Sequence, residues 1–335
     1  MEIFMLLGGF ILLTLGGEFL VRGSVSFAEA LGISPLMIGL TFVGFGTSMP
    51  ELVTSVQAAR AGAPGIAVGN VVGSNIANTL LVLGLAALIT PIALRSSVLK
   101  RDGVFVLTIS IAFGLIASFY TLDRIVGVGF LMLLCLYLTY AYRQEAAELK
   151  RWENGHTAVY EKAEAYGHLR DDVKDRTSTE AMVSRRGFVL PLITALIGLA
   201  IVIGGGTMLV EGAVALARQF NISESVIGLT IVAIGTSMPE IVTSLVAALR
   251  KHSDVALGNI MGSNIYNILA VGGAIALISP TDVPARIAHF DNLVMVGAAV
   301  LLLTFGRTGY RVVRTEGFIL LTLYVAYIWA LWPQS

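Results

Sequence analysis

Charge is scarce in this chain. Asp, Glu, Lys and Arg make up 13% of its 335 residues, where a soluble domain carries roughly 25%. That deficit excludes an ordinary soluble protein. Positive and negative residues balance at 22 each, so there is no basic surface for nucleic acid, which is not expected as a partner. The lone cysteine, Cys135, can form no internal disulfide. Of four histidines, His156 and His168 lie in a polar stretch, and His252 and His289 at the ends of apolar runs. No nucleophile–base constellation or histidine cluster emerges, so neither an enzyme nor a resident cofactor is expected. What is abundant is apolar surface. Hydrophobic residues reach 56%, glycine numbers 36, and mean hydropathy is +0.83.

The apolar residues fall into blocks long enough to cross a hydrocarbon core about 30 Å thick. The pattern predicts an all-α integral membrane protein with ten spans, at 3–31, 38–61, 67–89, 102–120, 123–142, 188–217, 226–249, 255–279, 290–306 and 315–332. A polar segment, 143–187, separates two groups of five and reads as an exposed linker, helical in part at most. The division is thus 1–142, 143–187 and 188–335. Positive residues set orientation, because cytoplasmic connections are enriched in Lys and Arg. With the N-terminus outside, the odd-numbered connections hold 17 Lys or Arg and the even-numbered ones four. Both termini are therefore expected outside and the linker in the cytoplasm. The first thirty residues do not read as a cleaved signal, since they carry Glu2 and no positive charge before Arg22.

The chain also repeats itself. Residues 38–84 align without a gap on 227–273, at a constant offset of 189 with 27 of 47 positions identical. IGLTFVGFGTSMPELVTS answers IGLTIVAIGTSMPEIVTS, and GNVVGSNIAN answers GNIMGSNIYN. Each copy belongs to a unit of five spans, and an odd number inserts the copies in opposite senses. Inverted repeats of this kind build many secondary transporters, with the substrate site near the midplane where the copies meet.

The most repeated stretch is polar and lies inside a span. Gly46-Thr47-Ser48-Met49-Pro50-Glu51 recurs as Gly235-Thr236-Ser237-Met238-Pro239-Glu240. An ionisable residue at this depth is costly and marks a functional site. No basic residue lies at the centre of any expected span to neutralise Glu51 or Glu240, so a bound cation is the simplest partner. Pro50 and Pro239 each withhold a helical N–H, leaving the carbonyls of Gly46 and Gly235 open. Such broken backbone is tolerated at membrane depth where it lines a cavity. Thr47 and Glu51 share a helix face. In the next span Asn70, Ser74 and Asn78 form a stripe spaced by four, repeated by Asn259, Ser263 and Asn267. Asn70 and Asn259 read equally well as ligands or as inter-helix glue. All these donors are hard oxygens, and two carboxylates match the charge of one Ca²⁺, which takes 6–8 oxygen ligands. Sodium accepts the same donors.

At these residues the sequence resembles the sodium/calcium exchanger family of the calcium/cation antiporter superfamily, whose two α-repeats look like the GTSMPE and GNxxGSNIxN pairs. The resemblance implies ten helices in a 5+5 inverted arrangement, four central ion sites and alternating access. Sodium and calcium then bind in turn, usually three Na⁺ for one Ca²⁺. Carried onto this chain, Glu51 and Glu240 are the central carboxylates. Thr47, Ser48, Thr236 and Ser237 supply hydroxyl or carbonyl oxygens, and Ser74, Asn78 and Ser263 complete the sodium sites. Asn267 departs, since members often carry Asp there; this weighs against potassium dependence and against a proton-linked fourth site. The glycine-rich first and sixth spans would be the helices that slide to switch access.

The expected function is electrogenic Na⁺/Ca²⁺ antiport across a cell membrane by a monomer, with Na⁺, Ca²⁺ and the lipid bilayer as partners. Ca²⁺/H⁺ antiport, or antiport of another divalent cation, through the same carboxylates stays open at this point. So does a passive cation channel, which would show flux without coupling.

Overall fold

Backbone polar groups have no water partner in hydrocarbon, so an apolar, glycine-rich chain satisfies them by forming helices. The computed structural model describes residues 2–165, 187–219 and 233–331. Helix α1 is Glu2–Leu31. Helix α2, Pro35–Arg60, and helix α3, Pro64–Ile89, follow it. Helix α4 is Ser96–Phe119, α5 is Arg124–Ala165 and α6 is Val189–Gln219. Helix α7 is Met238–Leu249, preceded by a short turn, Ala233–Thr236. Helix α8 is Ser253–Ile278 and α9 is Ile287–Arg307. Helix α10 is Arg314–Leu331. Among the described residues, eight helices are long and apolar enough to cross a membrane by length and composition. The other two expected spans correspond to α10 and to α7. Residues 220–232, which contain the start of the expected span 226–249, lie outside the described residues.

Several helices start earlier than hydropathy predicts. Ser34 accepts a hydrogen bond from the Met37 N–H at 3.2 Å, so α2 begins at Pro35 instead of 38. Pro64 opens α3 instead of residue 67. Both are N-terminal signals that work through the orphan N–H groups of the first turn and are independent of hydropathy.

The expected boundary at 142 falls inside a helix, since α5 runs on to Ala165, as a linker helical in part allows. Glu145, the third residue of the expected exposed linker, is instead buried. It pairs with Arg101 at 3.2 Å and Arg95 at 3.0 Å. Arg101 in turn grips Asp102 with two hydrogen bonds, of 2.5 and 3.0 Å. The Tyr137 hydroxyl donates to Asp102 at 2.6 Å. An Arg expected in a polar connection is thus buried at the start of α4, fully paired. The rest of the linker, 166–186, lies outside the described residues.

Helices α1 and α6, counterparts in the two copies, lie side by side. A Cβ on Gly9 would sit 2.8 Å from the Gly205 carbonyl oxygen, and one on Gly16 would sit 3.0 Å from that of Gly198. Gly23 abuts Ala195. Numbers rise along α1 as they fall along α6, so the helices are antiparallel. Corresponding elements of opposite direction are what an inverted repeat requires. Short bridges repeat the relation at the loops. Ile92–Ala93 pairs antiparallel with Arg311–Val312, and Leu122 pairs with Thr281.

Burial sorts the helices into centre and rim. In their most apolar stretches, 83% of α8, 72% of α3 and 61% of α2 are buried, against 28% for α1, α5 and α6. The helices carrying the repeated polar motifs are therefore central. Glycines bring them close, with Gly39 of α2 meeting Gly258 of α8 and Gly44 meeting Gly262. The rim exposes Phe4, Leu7, Ile125, Leu136 and Leu190, the apolar belt that a lipid bilayer covers.

Candidate functional site

Both repeated motifs break their helix at the serine. Ser48 sits at φ −80°, ψ 2°, and Ser237 at φ −86°, ψ 7°. A new helix starts at the next residue, with proline in its first turn, where its missing N–H costs nothing. Each glutamate then falls at the third position of that helix, at the positive end of the helix dipole. Glu51 is 1% exposed and Glu240 is fully buried.

The carboxylates are cross-linked between repeats. Ser237 Oγ donates to Glu51 Oε1 at 3.2 Å, and Ser48 Oγ donates to Glu240 Oε1 at 3.4 Å. Thr47 and Ser263 also stand beside the Glu240 carboxylate. Among the described residues, the Oε2 atoms of Glu51 and Glu240 have no partner. Neither glutamate joins the ion pairs of the described residues, which involve Glu18, Asp102 and Glu145. Two buried carboxylates face each other, each with an open oxygen.

The other expected site residues lie around them. Thr47 and Ser263 are buried, with their hydroxyl oxygens 3.2 Å apart. Ser74 and Asn78 are buried on α3, and Asn267 on α8. Thr236 is half-buried at the end of its turn. Neither the amide nitrogen nor the amide oxygen of Asn78 and Asn267 has a partner among the described residues. Asn78 lies in a widened π-helical turn, Ala77–Val82, and Asn267 opens another, Asn267–Val271. Such turns recur at functional sites. Hydrogen bonds connect Glu51, Glu240, Ser48, Ser237, Thr47 and Ser263 in two clusters. Ser74, Asn78 and Asn267 share their helix faces but are not hydrogen-bonded into them.

Asn70 and Asn259 form a second layer whose partners, Ser55 and Ser244, sequence reasoning passed over. Asn70 Nδ2 donates to Ser55 Oγ at 2.9 Å and to the Glu51 carbonyl at 3.3 Å. Asn259 Nδ2 does the same to Ser244 Oγ at 3.0 Å and the Glu240 carbonyl at 3.4 Å. Ser55 and Ser244 were detectable, since they stand at the same offset of 189. At the edge, Glu18 on α1 pairs with Arg22, as their spacing allows, and also with Arg250 at 2.6 Å.

Helices of membrane-spanning length, related by an inverted repeat and closed around two buried carboxylates without a basic partner, define a multi-pass membrane transporter. The chain belongs to the sodium/calcium exchanger family. A family model described as sodium/calcium exchanger protein matches residues 1–143 and 190–332. The sodium/calcium exchanger MaX1 of Methanosarcina acetivorans is 34% identical over 347 residues, covering 96% of each chain. The inner membrane protein YrbG of Escherichia coli is 34% identical over 325 residues, 94% of each chain. The sodium-calcium exchanger NCX_Mj, in a form soaked with 10 mM Na⁺ and no Ca²⁺, matches with a TM-score of 0.82 at 31% identity over 99% of both chains. The family is one of antiporters, transporters rather than enzymes.

Proposed function

We propose that this chain is a secondary active antiporter that exchanges Na⁺ for Ca²⁺ by alternating access. The observation that carries the reading is the pair of buried carboxylates, Glu51 and Glu240, each with one oxygen unpartnered among the described residues. Two negative charges in a dry site call for a cation, and every nearby side chain offers a hard oxygen. Glu51 and Glu240 hold the ions centrally. Thr47, Ser48, Thr236 and Ser237 add hydroxyl or carbonyl oxygens. Ser74, Asn78, Ser263 and Asn267 line the flanking positions. The likeness to MaX1 and NCX_Mj, both sodium/calcium exchangers, favours sodium over protons as the counter-ion.

Antiport follows from electrostatics. A bare site of charge −2 is costly to carry through a low-dielectric barrier, so the empty protein switches slowly and the loaded one quickly. The glycine seam between α1 and α6, where glycines of one helix meet backbone and side chains of the other, is the surface along which access changes. Residues 1–142 and 188–335 act as the two five-helix units, joined by a cytoplasmic linker at 143–187. The monomer sits in the cell membrane with both termini outside. With three Na⁺ per Ca²⁺, one net charge moves per cycle, worth about 2.3 kcal/mol per 100 mV.

The test is Ca²⁺ uptake into liposomes holding the purified protein, driven by an outward Na⁺ gradient. Three Na⁺ leaving for each Ca²⁺ entering carry one positive charge out, so an inside-positive potential speeds uptake. Uptake driven by a proton gradient instead, or by neither, refutes the assignment.

A further inference from the structure

Asn259 is fully buried, and all of its hydrogen-bonding capacity on one edge is committed. Its amide donates to Ser244 Oγ at 3.0 Å and to the Glu240 carbonyl at 3.4 Å. Its Oδ1 accepts the Thr47 hydroxyl at 3.0 Å. Two donors on one side and an acceptor on the other fix the orientation of an amide. The side chain thus joins three points: the turn that carries Glu240, the helix that carries Ser263, and a hydroxyl of the opposite repeat 212 positions away.

The Thr47 bond has a chemical consequence. A hydroxyl that coordinates a cation must turn its lone pairs to the ion and its proton elsewhere. Thr47 stands beside Glu240 and Ser263, and its other acceptor, the Gly44 carbonyl, lies at a long 3.4 Å, so without the shorter bond to Asn259 its proton is free to turn to the Glu240 carboxylate. It would then compete with a cation for the same oxygen. The Asn259 oxygen draws that proton to the far side. The amide nitrogen meanwhile locks α8 against α7 at the level of Glu240, and so sets the height of Ser263, one turn further along α8.

We propose that Asn259 is a positioning residue for cation exchange, acting through the Thr47 hydroxyl and the Glu240 turn without touching the ion. The inference rests on the site reading given above. It separates Asn259 from inter-helix glue, which would affect stability alone.

The experiment measures half-saturating Ca²⁺ and maximal rate for Na⁺-driven uptake by the reconstituted full chain. The Ca²⁺-induced rise in melting temperature of the purified protein is followed in parallel. N259A is expected to raise half-saturating Ca²⁺ about tenfold, the worth of one or two hydrogen bonds, with a smaller change in maximal rate. In a T47A background the same substitution is expected to add less than about twofold, because interacting residues are non-additive; in T47S, which keeps the hydroxyl, its full effect returns. S244A, which removes one acceptor and leaves the amide in place, is expected to raise half-saturating Ca²⁺ about threefold. It decides the matter if N259A does not fold. Wild-type Ca²⁺ dependence in N259A or S244A overturns the proposal, as does full additivity of N259A with T47A, or a lower melting temperature with unchanged Ca²⁺ dependence. If the wild type shows no Na⁺-driven uptake, the proposed function fails. The Ca²⁺-induced melting shift of wild type against N259A then still decides the role of Asn259, and no shift in the wild type overturns both.

Discussion

Ser237 donates its hydroxyl to the Glu51 carboxylate across 3.2 Å, although 186 positions separate them in the chain. The mirror relation, Ser48 to Glu240 at 3.4 Å, closes the pair. Each carboxylate is oriented by the helix break of the opposite repeat. Each copy therefore supplies a hydrogen bond to the other's glutamate.

Substitution at this pair is expected to separate loss of charge from loss of orientation. E51Q and E240Q each remove a formal charge and should abolish Na⁺-coupled Ca²⁺ uptake. S48A and S237A keep the charge and remove a hydrogen bond to it, worth about 1.5–3 kcal/mol. They should weaken Ca²⁺ dependence on the order of tenfold or more. Measured uptake in both Gln variants at wild-type rates would remove the carboxylates from the site.

The seam between α1 and α6 depends on having no side chains. A Cβ on Gly198 would overlap the backbone of Leu20, and one on Gly23 that of Ala195. G198A and G23A are expected to force the helices apart, at the cost of about 1–3 kcal/mol typical of overpacking. Turnover should fall while half-saturating Ca²⁺ changes little, because neither glycine lies among the oxygen donors. A flux titration with Ca²⁺ and a melting curve check both statements.

The ion pairs divide by burial. Arg101 and Asp102 are 3% and 0% exposed at the side chain, so removing Arg101 strands the buried Asp102 carboxylate, with only the Tyr137 hydroxyl left to it among the described residues, at a cost of about 3–5 kcal/mol. R101A should destabilise strongly. Arg250, 49% exposed, meets Glu18 at the edge, and such pairs contribute about 0–1 kcal/mol. R250A should leave the melting temperature nearly unchanged, and its small effect should vanish in high salt. Equal effects from the two variants would contradict this division.

Asn267 is the position where the family often carries Asp. N267D would add a third buried carboxyl group, on the helix whose Ser263 stands beside Glu240. Protonated, it is neutral like the native amide; ionised, it adds repulsion. The variant is therefore expected to match the wild type at the acid end of a pH series and to depart from it as pH rises. Ca²⁺ uptake followed over pH for both proteins checks this, and parallel profiles would show that position 267 does not sense the site charge.

Much of the site was legible because its signals are local. GTSMPE places a proline and an acid inside an apolar run, and the offset of 189 says that this occurs twice. Hydropathy located the spans but missed the starts of α2 and α3, since Ser34, Pro35 and Pro64 act through capping. It also ended α5 too early. Polar residues at 143–145 look like solvent-exposed chain until Glu145 meets Arg101, 44 positions earlier in sequence. Asn259 was ambiguous for a related reason. A buried amide reads the same as ligand or as glue until its partners are known.

Composition and repetition by themselves determined that this is a membrane protein, that it is built twice, and that each copy carries a glutamate, Glu51 or Glu240, in its repeated motif within a span. Those properties follow from hydropathy and spacing, which act along the chain. Tertiary structure decided that α1 and α6 run antiparallel on bare glycine, that each serine serves the other repeat's glutamate, and that Asn259 holds the Thr47 proton. These are contacts between residues far apart in sequence. They depend on how closely helices approach and how they are rotated, and that is settled only when the whole bundle packs.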